Sequence, residues 1–151
     1  MKSFLDKYDT VIFDMDGVIT SEQNYWNSAA LTVREYLSDK AYFGKGNIDT
    51  DWMSKNVSGI RSEVFCDDRL INELKSRGVN SNWDLGYVTV LIALILKKDD
   101  PDKALKFAQN LSENILDEYE NLSRAAAKSA GLSCDYTERN GELWQGMRDC
   151  F

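Results

Sequence analysis

VIFDMDGVIT, Val11 to Thr20, ends an apolar run on two aspartates one residue apart, adds a glycine, and returns to apolar residues. Tyr8 to Phe13 reads as a short strand, because Val11, Ile12 and Phe13 form the unbroken apolar run of a strand buried on both faces. Asp14 and Asp16 then stand at its carboxyl end, where open α/β folds put ligand chemistry. Strand alternation sends both side chains the same way, and a turn beginning at Gly17 can splay them. Close carboxylates need a cation or a shared proton, and Mg²⁺ is the natural cation for oxygen donors.

Downstream the pattern is helical. Tyr25, Ala29, Val33, Tyr36 and Leu37 recur at steps of three and four, with Thr20 and Gln23 in capping-box spacing, which predicts an amphipathic helix ending near Asp39. AYFGKGNIDT, with Gly44 and Gly46, reads as a loop. A second helix is expected from about Asp67 to Arg77 on Leu70, Ile71 and Leu74, stopped by Gly78. Asn82 is expected to cap a third, whose run VTVLIALIL, Val88 to Leu96, suits a helix surrounded by others and is too short to span a membrane. Asp100 and Pro101 open another stripe, Leu105, Ala108, Leu111, Ile115, Tyr119 and Leu122, with a break near Ser112. A last helix is expected from Asn140, with Leu143, Trp144, Met147, Cys150 and Phe151 on one face. That face runs to the final residue without a cap, so the sequence reads as the N-terminal part of a longer protein.

With 151 residues, 43% of them hydrophobic, the chain can bury one sizeable core. A formal net charge of −7 argues against nucleic-acid binding, which needs clustered Lys and Arg. The absence of histidine removes Ser-His-Asp triads, Cys-His pairs and imidazole metal sites, leaving a hard cation on oxygen as the metal to expect. Cys66, Cys134 and Cys150 are odd in number and widely spaced, so neither a zinc site nor a disulfide framework is suggested. The N-terminus lacks the apolar core of a signal peptide, and a reducing cytoplasm is the simplest setting.

V-I-F-D-M-D-G-V-I-T resembles the first motif of the haloacid dehalogenase superfamily, closest to its phosphatase and β-phosphoglucomutase-like branch. The resemblance implies that Asp14 is the nucleophile that forms an aspartyl phosphate, and that Asp16 is the general acid/base. It also implies that both ligate Mg²⁺, Asp14 through its side chain and Asp16 through its backbone carbonyl. An aspartate at position 16 favours phosphomonoester chemistry over dehalogenation. Residues 1–20 then correspond to the first strand and motif of the core, and residues 21–151 to an inserted helical cap. The expected fold is mainly α, a helical cap bundle plus one N-terminal β-strand, with the parent protein an α/β Rossmann-like hydrolase. Its substrate is expected to be a small phosphorylated metabolite.

The family also needs a Ser/Thr ending a second strand, a Lys, and an acidic pair. LILKKDD, with Asp99 and Asp100, resembles the acidic pair, but Pro101 and the two lysines make it a helix end followed by the next N-cap. The remaining motifs are therefore expected from a core beyond Phe151, and this chain alone is expected to be inactive. The orphan strand could lead the isolated chain to self-associate. A calcium loop is excluded, because Ile12 and Gln23 fall where Asp and Glu ligands belong. Arg61, in NVSGIRSEVF between two predicted helices, resembles a cap-loop residue that contacts substrate; its alternative is a solvated surface arginine. Trp26, Trp52, Trp83 and Trp144 read as core. The competing function is a non-catalytic all-helical interaction module in which DMDG is only a turn.

Overall fold

The computed structural model describes residues 21–97 and 100–131. The expected first strand, Asp14, Asp16, Thr20 and the helix from Asn140 lie outside these residues. Within them the chain is mainly α, seven α-helices and a 3-10 turn with no strand.

Helix α1 (Gln23–Ser38) turns Ala29, Ala30, Val33 and Tyr36 into the core. Its N-cap position is Glu22, and Ser21 Oγ accepts the Gln23 N–H at 3.2 Å, so the helix begins later than the capping-box reading predicts. Tyr25 falls off the apolar stripe and stays 48% exposed. The helix stops where Asp39 accepts the N–H groups of Ala41 at 2.7 Å and Ile48 at 3.1 Å, folding the loop back on itself. Gly44 makes that fold possible, since a Cβ there would lie 1.9 Å from the Ser38 carbonyl carbon.

Residues expected to be loop form two more helices, α2 (Thr50–Lys55) and α3 (Val57–Phe65). Asp49 caps α2 by accepting the Trp52 N–H at 2.9 Å. The buried Met53, Ile60, Val64 and Phe65 follow helical spacing, but Gly59 and the β-branched residues weaken the local signal. For α3, burial against α1 supplies what propensity lacks, and α2 packs against α3.

Helix α4 (Arg69–Ser76) buries Leu70, Ile71 and Leu74 completely and ends at Gly78, whose φ of +92° suits a glycine. Helix α5 (Asn82–Leu96) is capped one residue earlier than expected, by Ser81 Oγ accepting the Asp84 N–H at 3.2 Å. Leu85 through Ala93 are all buried, because α1, α6 and α7 pack around this helix. Lys97 ends it in the left-handed region, and Asp100 then caps α6 (Pro101–Ala108) by accepting the Lys103 N–H at 3.1 Å. Of LILKKDD, Leu94 to Lys97 are thus the end of one helix and Asp100 the cap of the next, while Lys98 and Asp99 lie outside the described residues. The expected break follows α6: Arg77 donates to the carbonyls of Gln109 and Ser112, each at 3.0 Å, and to that of Leu111. The 3-10 turn Ile115–Glu118 leads into α7 (Tyr119–Ser129). No described helix is long and apolar enough to cross a membrane.

Candidate functional site

Two clefts flank the first turns of α1, and a tryptophan stands between them. Gln23 and Asn27, one turn apart, line a polar cleft of about 300 Å³ together with Ser58, Arg61, Ser62, Asp67 and Asp68. Glu22, Tyr25 and Ser28, on a neighbouring face of the same helix, line a groove of about 570 Å³ with Asn80, Ser81, Asn82 and Trp83. Arg61 lies over the Trp26 ring with its guanidinium carbon 4.8 Å from the centroid, and Lys75 Nζ lies 5.2 Å from it. Lys75 in turn pairs with Glu22 at 2.6 Å.

Arg61 is neither in a loop nor solvated. It projects from the middle of α3 with its side chain only 14% exposed. Its Nε and Nη2 donate to the two oxygens of Asp68 at 2.8 and 2.6 Å, a two-pronged pairing that fixes the guanidinium plane. Nη1 donates to Asn27 Oδ1 at 3.4 Å.

Asp68 reaches Arg61 because of an unusual turn. Cys66, Asp67 and Asp68 all have positive φ, 54°, 53° and 64°. Each such residue costs on the order of 1–3 kcal/mol and persists only where its surroundings hold it. Each is held here. Cys66 Sγ donates to Asp102 Oδ1 at 3.2 Å, and Arg69 donates to both the Cys66 sulfur and, at 3.0 Å, its carbonyl. Asp67 accepts from Ser62 Oγ, and Asp68 binds Arg61. Burial, then the Asp102 carboxylate, push the Cys66 thiol above its ordinary range.

Of the three site residues expected from the sequence, Arg61 falls among those described; Asp14 and Asp16 do not. Gln23 is seven residues after Asp16, a span of at most about 25 Å even if fully extended. Sequence reasoning missed Gln23, Asn27, Asp67 and Asp68. The one signal in their favour was the doubled acid in FCDDR between two apolar stripes, which reads equally well as a helix start. Of the tryptophans expected in the core, Trp26 packs against it, Trp52 and Trp83 are 52% and 37% exposed, and Trp144 lies outside the described residues.

The Mg²⁺ that the first motif implies would be held by Asp14 and Asp16, whose oxygen donors suit a hard cation. Among the described residues no group of three or more Asp, Glu, Cys or His side chains is arranged to hold a metal ion.

No family model matches this sequence, and no curated protein matches it. An X-ray structure described as a Northeast Structural Genomics Consortium target is similar to it, with 27% identity and a TM-score of 0.66. The similarity covers 86% of this chain and 44% of that one, so the chain spans less than half the length of the solved structure it resembles.

Proposed function

We propose that this chain carries the nucleophile-bearing first motif and the helical cap of a Mg²⁺-dependent, haloacid dehalogenase-type phosphatase or phosphomutase acting on a small phosphorylated metabolite in the cytoplasm. What supports the reading is the sequence of DMDG followed directly by a helical body whose polar cleft is lined from Gln23, seven residues beyond Asp16.

In this reading an Asp14 carboxylate oxygen attacks the substrate phosphorus as the ester P–O bond breaks. Asp16 protonates the departing alkoxide. Asp16 then takes a proton from water as that water attacks the phosphorus, releasing phosphate and restoring Asp14. Mg²⁺, when bound, offsets the phosphoryl charge. Arg61 belongs to the wall that meets the rest of the substrate. The Ser/Thr, Lys and acidic pair that the reaction also requires come from core polypeptide outside this chain, and the 151 residues alone give no turnover.

The test is hydrolysis of a phosphomonoester panel with Mg²⁺ by the full-length gene product. Asp14→Asn abolishes turnover, and Asp16→Asn lowers kcat by about 10²–10⁴-fold, the range of general acid–base catalysis. Activity that survives Asp14→Asn removes the nucleophile assignment. A second reading, a non-catalytic interaction module, draws support from the groove between the exposed Tyr25 and Trp83. It predicts no hydrolysis by any form.

A further inference from the structure

The polar cleft has a charge pattern that selects its ligand. Among the described residues that line it, three are charged, the Arg61 guanidinium and the Asp67 and Asp68 carboxylates, for a net of −1. The one cation among these described residues is already neutralised: Asp68 takes both prongs of the guanidinium, Asn27 takes a third N–H, and the Trp26 ring covers one face. An incoming anion would have to displace Asp68 from a pairing with the side chain 14% exposed, and would meet Asp67 as well. Carboxylates accept hydrogen bonds and do not donate them. Ser58, Ser62, Gln23 and Asn27 complete a wall that suits hydroxyl or ammonium groups.

We infer that this cleft selects substrates whose leaving group is rich in hydrogen-bond donors and carries no negative charge, and that Asp68 is the specificity-determining residue because it occupies Arg61. This rests on the phosphatase reading above. Arg61 is then a positioning residue, which sets the Asp68 carboxylate and the Trp26 ring, and not a receptor for a second phosphate or a carboxylate. The left-handed turn at 66–68 supplies the geometry, since it brings Asp68 back towards α3 within seven residues of Arg61.

The experiment compares three probes that share a phosphate and differ at the other end: phosphoethanolamine, glycerol 3-phosphate and 3-phosphoglycerate. Binding to the full-length protein in Mg²⁺ is followed by NMR at the side-chain amides of Gln23 and Asn27. The carboxylate probe is expected to bind about tenfold or more weaker than the ammonium probe, the effect of one unfavourable charge pair near a protein surface. Asp68→Asn keeps a residue that tolerates positive φ, frees Arg61, and should bring the carboxylate probe level with or ahead of the others. Asp67→Asn lowers the negative charge without freeing Arg61, and should narrow the gap without reversing it.

Equal or tighter binding of 3-phosphoglycerate to the wild type overturns the inference, as does an unchanged ranking in Asp68→Asn. So does a failure of all three probes to shift the two amides. None of these outcomes touches the Asp14→Asn result, so the cleft and the catalytic reading fail separately.

Discussion

Cys66 shows how a single residue can serve the turn that shapes the cleft. The residue is 6% exposed, and its thiol donates to Asp102 and accepts from Arg69, so its hydrogen bonds help hold a backbone that only glycine, asparagine and aspartate adopt easily. Burial and the Asp102 carboxylate both favour the neutral thiol, outweighing the Arg69 charge. With the folded pKa raised above the unfolded one, the stability this contributes is fully present below the ordinary thiol pKa and is lost as pH rises through the folded value. In a Cys134→Ser, Cys150→Ser background, alkylation at pH 8 should be markedly slower for the native protein than for the same chain in urea. Equal rates would show that the 66–68 turn opens freely in solution. The sequence marked this turn only weakly, because Cys-Asp-Asp carries no glycine and its doubled acid reads equally well as a helix start.

Helix boundaries depend on groups a few residues apart, and this is where the sequence was most legible. Asp100 followed by Pro101 is a start signal in itself: the carboxylate accepts the Lys103 N–H and also pairs with Lys103 Nζ at 2.7 Å. Asp100→Ala should therefore cost about 0.5–2 kcal/mol, read as a lower urea midpoint at unchanged slope. An unaffected midpoint would mean that α6 is held by packing alone. The apolar stripe of α4 and the Gly78 stop were equally plain. Helices α2 and α3 were not, since Gly59 interrupts the short apolar pattern of α3, and it is chiefly the surface of α1, distant in sequence, that stabilises that pattern as helix. The N-terminus of α1 was misplaced for a related reason, because Thr20 and Gln23 have capping-box spacing while the helix begins at Gln23 itself.

At the scale of the molecule, α5 is the post on which the other helices lean. Its continuous apolar run told both its length and its central position, and the mainly α character of the chain followed from the helical periodicities around it. Leu91 is 1% exposed on this helix, and Leu91→Ala should destabilise the fold by about 2–5 kcal/mol, measured by urea unfolding. A cost below 1 kcal/mol would show that its neighbours collapse into the space. The clefts were not legible, because they assemble residues far apart in the chain: Asn27 and Arg61 are 34 positions apart, and Lys75 and Glu22 are 53. Periodicity reports which face of a helix is buried, and says nothing about which polar residues meet across two helices. The cations on Trp26 add a mechanical consequence. With α3 reaching the ring through Arg61 and α4 through Lys75, one side chain of α1 is pinned to two helices at once, so that loss of the Trp26 ring would release both attachments together.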